Sequence, residues 1–276
     1  MKKYIGLAAI LAIMFGAVSL ASANQKPQKA YVGVGVMPFY LDGLQNATLS
    51  DRAYYPNNEA RVYLPLADAN TDGAALLPGI LFGYAYDLAG PVTANGEISV
   101  HLYDRVAAFT AMIGGDMFVV NKPNMKIGIP LRVGFLGALI DFGQTELVQG
   151  STPPVILPEG SINTGDDLGA QMMGAVVRGG MTAELWLTPK LGLRADVGAQ
   201  MGFLGKLEIK ATKAGSIDCD SINDASQRAI CRDTNETVIP VASPDVVVPN
   251  TNTPTDMKPE GGSLGISAYL GLVFKL

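Results

Sequence analysis

The chain is 276 residues long; 48% of its residues are hydrophobic and 16% are charged. Its formal net charge of −5 argues against nucleic acid as a partner, because a phosphate backbone attracts basic surfaces. After the N-terminal segment, no apolar run is long enough and free enough of charge to cross a membrane as a helix.

The N-terminus has the pattern of a secretory signal peptide. Lys2 and Lys3 precede an apolar stretch from Ile5 to Leu20, and the small residues Ala21 to Ala23 form a cleavage site. The alternative, an uncleaved membrane helix, is disfavoured because the apolar stretch is short and no basic flank follows it. We therefore expect residues 1–23 to be removed from an exported chain.

A two-residue alternation of polar and apolar side chains follows in the rest of the chain. From Thr93 to Tyr103 the odd-numbered residues are polar, and the even-numbered residues are apolar or glycine. The same split recurs in Lys126 to Leu139 and in Leu193 to Phe203. Such strands belong to a soluble sandwich or to a membrane barrel with a polar interior. Their length, roughly ten residues or more, favours a barrel that crosses a bilayer.

The alternation predicts eight strands, an even number as in single-chain bacterial barrels. The predicted strands are Ala30 to Phe39, Gly79 to Leu88, Val92 to Tyr103, Ala107 to Val120, Lys126 to Phe142, Gly169 to Leu187, Leu191 to Phe203 and Ser263 to Leu276. A different strand count is the alternative, since Arg61 to Leu66 also has strand character, although Pro65 disfavours a central position.

The connections between these strands alternate in length. Tight turns at Asp87–Pro91, Asn121–Met125 and Thr188–Lys190 alternate with long loops at about 40–78, 143–168 and 204–262, with a short exception at Asp104–Val106. Short periplasmic turns and long external loops are the asymmetry expected of an outer-membrane barrel.

Two turns and the last strand resemble a known family. The turns are Tyr86 to Pro91 and Leu187 to Leu191, and the strand ends Tyr269 to Leu276. In these segments the chain resembles the small outer-membrane barrels of the outer membrane protein A type, described as the outer membrane protein beta-barrel domain. The resemblance covers nearly all of residues 24–276. It implies an all-β, eight-stranded, antiparallel up-and-down transmembrane barrel in the bacterial outer membrane, without the family's peptidoglycan-binding domain.

The last strand also resembles the family's assembly signal, formed here by Tyr269, Gly271, Phe274 and Leu276. The family usually has Phe where this chain has Leu276. A terminal strand with an unpaired edge can be bound by strand addition. The resemblance therefore implies the barrel-assembly machinery and periplasmic chaperones as partners during biogenesis, and outer-membrane lipid as the surroundings.

Charged residues on the polar faces of the strands are expected to point into the lumen. We call these seven residues the lumen charge network: Glu97, Asp116, Arg132, Arg178, Glu184, Arg194 and Asp196. An eight-stranded barrel is only just wide enough for side chains to fill it, so paired charges would close the lumen. The alternative is a narrow porin-like channel for small solutes or apolar compounds.

Two other segments contain residue types that are typical of binding or cross-linking sites. Cys219 and Cys231 fall in the last long loop of an exported chain, which favours a disulfide. Asp68 to Gly73 matches the first half of a calcium loop, with Asp68, Asn70 and Asp72 as oxygen ligands, but Gly79 stands where the bidentate Glu belongs. A plain turn is the preferred interpretation, and no metal site is predicted.

No motif of catalysis is present. The sequence has no Gly-rich phosphate loop and no Gly-x-Ser-x-Gly elbow, and no nucleophile is recognised beside His101, the single histidine. We therefore expect a protein that is not an enzyme and has no cofactor. The favoured role is structural or in surface interaction; an outer-membrane hydrolase is a further alternative.

Overall fold

The structure is a computed structural model. It describes residues 28–42, 48–50, 61–63, 75–88, 90–103, 105–144, 146–147, 155–157, 160–163, 165–205, 208–213, 226–227, 236–240, 246–247 and 260–276. Among these residues, no helix has both the length and the apolar character to span a membrane.

Eight long strands form a closed antiparallel barrel. They are β1 (Gln28–Asp42), β2 (Ala75–Asp87), β3 (Val92–Tyr103), β4 (Val106–Lys122), β5 (Met125–Gln144), β6 (Asp167–Trp186), β7 (Leu191–Leu204) and β8 (Glu260–Lys275). Each of these eight strands pairs with the next along the chain, and β8 pairs with β1, so the eight strands close on themselves. The predicted fold class and all eight strand positions are confirmed, with boundaries that differ by a few residues.

The two ends of the barrel differ. At one end, the short-turn end, residues 88–91, 123–124 and 187–190 join consecutive strands. The other end, the long-loop end, has the longer connections and the short one between β3 and β4. The predicted alternation of turn and loop lengths is therefore present in the structure.

Shorter strands lie outside the barrel wall or extend it. They are Thr48–Ser50, Arg61–Tyr63, Glu146–Leu147, Val155–Leu157, Gly160–Ile162, Glu208–Thr212, Glu236–Pro240 and Val246–Val247. Arg61–Tyr63 is a strand, but it belongs to a separate four-stranded sheet. The strand character of this segment therefore adds no strand to the barrel.

The barrel wall is taller on the side of β5 and β6, which have 20 residues each. On β6, Gly174 is opposite Leu204 and Gln171 is opposite Glu208, so four steps along one chain correspond to three along β6. Glu208–Thr212 thus continues the line of β7, and Glu236–Pro240 pairs with it in turn.

The alternation alone predicts a lumen that is polar along its whole length. In the structure, only part of the lumen is polar. Its short-turn half contains the charged side chains, whereas the half toward the long loops contains a buried apolar cluster. The cluster includes Met37, Leu77, Met112, Leu136, Ile140, Phe142, Leu168, Met172 and Val176. In this half, the strands place apolar side chains on both faces. The inward face meets other side chains across a narrow lumen, so it can be apolar as in a soluble core.

Glycines provide the space for the large inward side chains. A Cβ atom built at Gly83 on β2 would lie 2.1 Å from Cζ of Tyr31 on β1, and one at Gly79 would lie 2.4 Å from Nδ1 of His101 on β3. Each ring therefore lies over a neighbouring strand at a position where no side chain is present. This alternation of large and small residues fits the rings into a lumen of fixed width.

The packing of Tyr31 over Gly83 can be tested by Gly83→Ala. The added methyl group collides with the ring of Tyr31, so the free energy of unfolding should fall by about 1–3 kcal/mol. Gly96→Ala is the matched control, because a Cβ there would have its nearest neighbour at 4.0 Å. Urea unfolding followed by circular dichroism measures both. An equal loss in the two variants would show that the ring contact does not matter.

Candidate functional site

The lumen charge network is assembled from five neighbouring strands. Glu97 lies on β3, Asp116 on β4, Arg132 on β5, and the other four residues on β6 and β7. The structure places all seven inside the barrel, and none is more than 4% exposed. Strand register brings them together: Arg178 is directly opposite Arg132, and Glu184 is opposite Arg194.

Arg132 is the cation at the centre of one half of this network. Its Nε lies 2.7 Å from Oε1 of Glu97, and its Nη2 lies 2.9 Å from Oδ1 of Asp116 and 3.6 Å from Oδ1 of Asp196. Three carboxylates from three strands thus surround one guanidinium. Arginine suits this position because its planar fork presents several N–H groups in different directions.

Arg194 has the same role in the other half. Its guanidinium donates hydrogen bonds to Asp196 at 2.8 Å, to Glu184 at 2.9 Å and to Asp116 at 2.9 Å. The guanidinium also lies 4.3 Å from the ring centroid of Tyr31, close enough for a cation–π contact. Asp116 therefore connects the two arginines, one through each carboxylate oxygen.

Glu97 is the acid that Arg178 and Tyr31 contact. Arg178 pairs with its Oε2, and the hydroxyl of Tyr31 donates a hydrogen bond of 2.6 Å to its Oε1. Arg178 also lies 4.9 Å from the ring centroid of Tyr269 on β8. The two tyrosines, on the strands that close the barrel, thereby join the network to the closure seam.

Lys29 belongs to the same site and was missed by the sequence analysis. Its Nζ lies 3.1 Å from Oε2 of Glu184 and 3.2 Å from Oδ1 of Asp87, and the residue is fully buried. The seven predicted residues contain four acids and three arginines, so Lys29 supplies the fourth positive charge. Extending the alternation of the first strand by one residue would have found it, since Lys29 lies on the same face as Tyr31.

Full neutralisation explains how so much charge can be buried. An ion taken from water into a low-dielectric interior costs several kcal/mol unless opposite charges and hydrogen bonds surround it. Among the described residues, every acid of the network has at least one cation within 3.5 Å. The network is thus stable as a unit, but it would be unstable with one member missing.

A neutral polar layer separates the charges from the apolar half of the lumen. His101, Ser99 and Thr110 are all fully buried there. Nδ1 of His101 lies 2.9 Å from the carbonyl oxygen of Leu77, which can only accept, so Nδ1 carries the proton. Nε2 is then the acceptor, with the hydroxyls of Ser99 at 3.0 Å and Tyr269 at 3.1 Å.

The contact between Ser99 and His101 corrects the expectation that no nucleophile lies beside the histidine. The two residues are two positions apart on one strand, so both face the lumen. A serine activated by histidine needs an open approach for its substrate, whereas Ser99 has no exposed surface. The imidazole is also oriented by a backbone carbonyl rather than by a carboxylate.

The residues of the predicted assembly signal lie on both faces of β8. Tyr269 is 4% exposed and faces the lumen, whereas Phe274 and Leu276 are on the outer surface, with Leu276 73% exposed. Gly271 is inward and opposite Gly33 of β1. Phe274 and Leu276 thus face outward, as the alternation predicts, and the use of this strand for assembly stays a prediction.

Several predicted features lie outside the described residues. These are the signal peptide 1–23, the cysteines Cys219 and Cys231, and the oxygen ligands Asp68, Asn70 and Asp72. The disulfide and the preferred turn at Asp68 to Gly73 therefore stay predictions. Within the described ranges, no group of three or more His, Cys, Asp or Glu residues is placed to hold a metal ion.

No family model matches the chain. No curated protein matches it either. Among solved structures, Neisserial surface protein A matches at 10% identity over 90% of this chain and 97% of that one, with a TM-score of 0.39. Ail, the attachment invasion locus protein of Yersinia pestis, matches at 9% identity, 91% and 100% coverage and a TM-score of 0.35. The outer membrane protease OmpT from Escherichia coli matches at 8% identity, 92% and 99% coverage and a TM-score of 0.35.

The interdependence of the buried charges can be tested by Glu97→Gln. The amide keeps the shape of the side chain but leaves Arg132 and Arg178 with too little negative charge, so unfolding should become easier by roughly 3 kcal/mol. Asp167→Asn, which removes an exposed carboxylate, is the matched control. Urea denaturation midpoints would be compared.

Adding Arg178→Gln to Glu97→Gln should recover part of the loss, since the double variant is again neutral. A simple sum of the two single effects would contradict the proposed coupling between these two side chains.

Proposed function

We propose that the chain is an integral outer-membrane β-barrel with a closed lumen and a structural or surface-interaction role. The observation that carries this proposal is an inside-out distribution of side chains. Four acids, three arginines and Lys29 are buried in the lumen, while large apolar side chains cover the outer wall. A water-soluble barrel would have the opposite arrangement.

The apolar outer wall includes every strand. Exposed side chains on β1 to β8 in turn include Val34, Ile80, Leu102, Ile113, Phe135, Met173, Phe203 and Ile266. Phe135 is 73% exposed and Ile113 is 72% exposed. Monomeric soluble proteins rarely expose contiguous apolar patches larger than a few hundred Å². Acyl chains are the surroundings that such a wall requires, and a closed barrel satisfies its backbone hydrogen bonds within the bilayer.

Orientation follows from the connections. In bacterial outer-membrane barrels, short turns face the periplasm and long loops face outward. We therefore place the short-turn end in the periplasm and the long-loop end at the cell surface. The outward-facing Phe274 and Leu276, and the resemblance of the last strand to an assembly signal, support delivery by periplasmic chaperones and the barrel-assembly machinery.

The closed lumen is supported by two groups of side chains, which fill successive parts of the barrel along its axis. The charge network occupies the short-turn half, and the apolar cluster occupies the other half, including Ile162 from the connection between β5 and β6. An ion that crosses the barrel would have to separate tight ion pairs and then pass an apolar layer. For the same reason we propose no catalytic role, because Ser99 and His101 lie within this filled lumen.

Planar-bilayer recording tests the closed lumen. The purified barrel should give no steady ionic current, because neither half of the lumen offers a hydrated path. Steady unitary openings would support the alternative, a narrow channel for small solutes. The variant Glu97→Gln is a useful comparison, since loosening the network should make openings more frequent if the network is the barrier.

A charged substitution on the outer wall tests the membrane location. Ile113→Arg places a charge in the middle of the apolar wall and should lower stability in lipid vesicles by about 2–4 kcal/mol. Val119→Arg, on the same strand near the short-turn end, should cost only about 0–1 kcal/mol. Heat-modifiable gel mobility and outer-membrane fractionation report on folding and location. Equal effects in both variants, or a soluble periplasmic product, would refute the proposal.

A further inference from the structure

A pocket lies on the outer wall of the barrel, across the four neighbouring strands β2 to β5. Its volume is about 560 Å³. Sites for small ligands are typically about 300–1,000 Å³ and are lined mainly by apolar and aromatic side chains. We call this feature the outer-wall pocket. It is large enough to hold a ligand, and it is separate from the filled lumen.

The strand register places small residues at the floor of the outer-wall pocket and larger ones at its rim. Gly96 on β3 is opposite Tyr84 on β2 and Ile113 on β4. Ala111 on β4 is opposite Phe135 on β5. A Cβ atom built at Gly96 would have its nearest neighbour at 4.0 Å, so the space above this glycine is open. The hollow is therefore formed by side-chain size on the outward face of regular strands.

The lining of the pocket has almost no polar group. Among the described residues that line it, Tyr84 has the only polar side chain on the outward face. Glu97 also borders the pocket, but its side chain is 3% exposed and pairs with Arg132 and Arg178 in the lumen. A buried water needs two to four polar partners, and a charged solute needs an opposite charge. The pocket therefore suits an apolar occupant.

The shape of the wall favours a flexible chain over a second barrel as this occupant. The outer face of a closed barrel is convex, and so is that of a second copy. Phe82 and Phe135 stand at the two sides of the pocket and would keep a convex partner away from Gly96. A stable protein interface also buries about 1,200–2,000 Å², far more surface than this pocket offers. A single hydrocarbon chain, in contrast, can follow the hollow to its floor.

We propose that the outer-wall pocket binds one acyl chain of a membrane lipid and holds it more tightly than the rest of the wall does. Inside a bilayer, association depends on van der Waals packing, because the surroundings are as apolar as the protein. A chain on the convex wall has protein on one side, whereas a chain in the pocket contacts the floor and both rims. An empty hollow would lose these contacts on every side. This inference rests on the membrane location proposed above.

The test fills the floor of the pocket and counts the lipids that stay bound. Folded barrel in neutral detergent would be mixed with phosphatidylcholine or phosphatidylglycerol that have identical acyl chains, and native mass spectrometry would count the retained molecules. Wild type should retain one lipid with either headgroup, because the pocket contacts the chain. Gly96→Leu combined with Ala111→Leu should lose this lipid. Each single variant should retain less than wild type, and heat-modifiable mobility checks that every variant folds.

Ala175→Leu is the matched control, since it enlarges an exposed alanine on β6 outside the pocket and should leave retention unchanged. Equal retention by wild type and by the double variant would overturn the inference, as would an equal loss in the control. Retention of one headgroup alone would indicate a headgroup site and would also overturn it. A dimer that the double variant abolishes would assign the pocket to a second copy instead. A barrel in the outer membrane that retains no lipid would leave the proposed function intact, whereas a soluble periplasmic product would refute that function first.

Discussion

The structure depends on the need to neutralise charge inside a wall that is apolar on its outer face. Arg132 and Arg194 each contact three carboxylates, and no single strand supplies both sides of this balance. Because an unpaired ion in a low-dielectric interior is so costly, the buried charges depend on the closed register, which brings the five strands and Lys29 together. The network therefore stabilises this register in addition to filling the lumen.

Closure of the barrel and closure of the lumen are related. Tyr31 on β1 and Tyr269 on β8 lie at the seam, and they contact Glu97, Arg178 and Arg194 from the far side of the barrel. Glycines on the neighbouring strands leave space for these rings. A barrel that failed to close would expose the rings and separate the ion pairs, so a single set of contacts stabilises both the wall and its contents.

The lumen has three layers, and each has a different chemical character. Ion pairs fill the short-turn half, a neutral layer around His101 follows, and apolar side chains fill the half toward the long loops. Within this filled lumen, Ser99 lies 3.0 Å from His101 but has no exposed surface that a substrate could approach.

The sequence by itself determined the eight strands, their inward and outward faces and the identity of seven buried charges. These properties are local, because a side chain two residues further along a strand always returns to the same face. It did not determine the partners of those charges: Lys29 and Glu184 are 155 positions apart and meet only because the barrel closes. The apolar half of the lumen was also decided by the tertiary structure, since whether an inward apolar side chain meets water, a ligand or another side chain depends on the width of the barrel and on what lies opposite. Alternation along the chain carries no information about either.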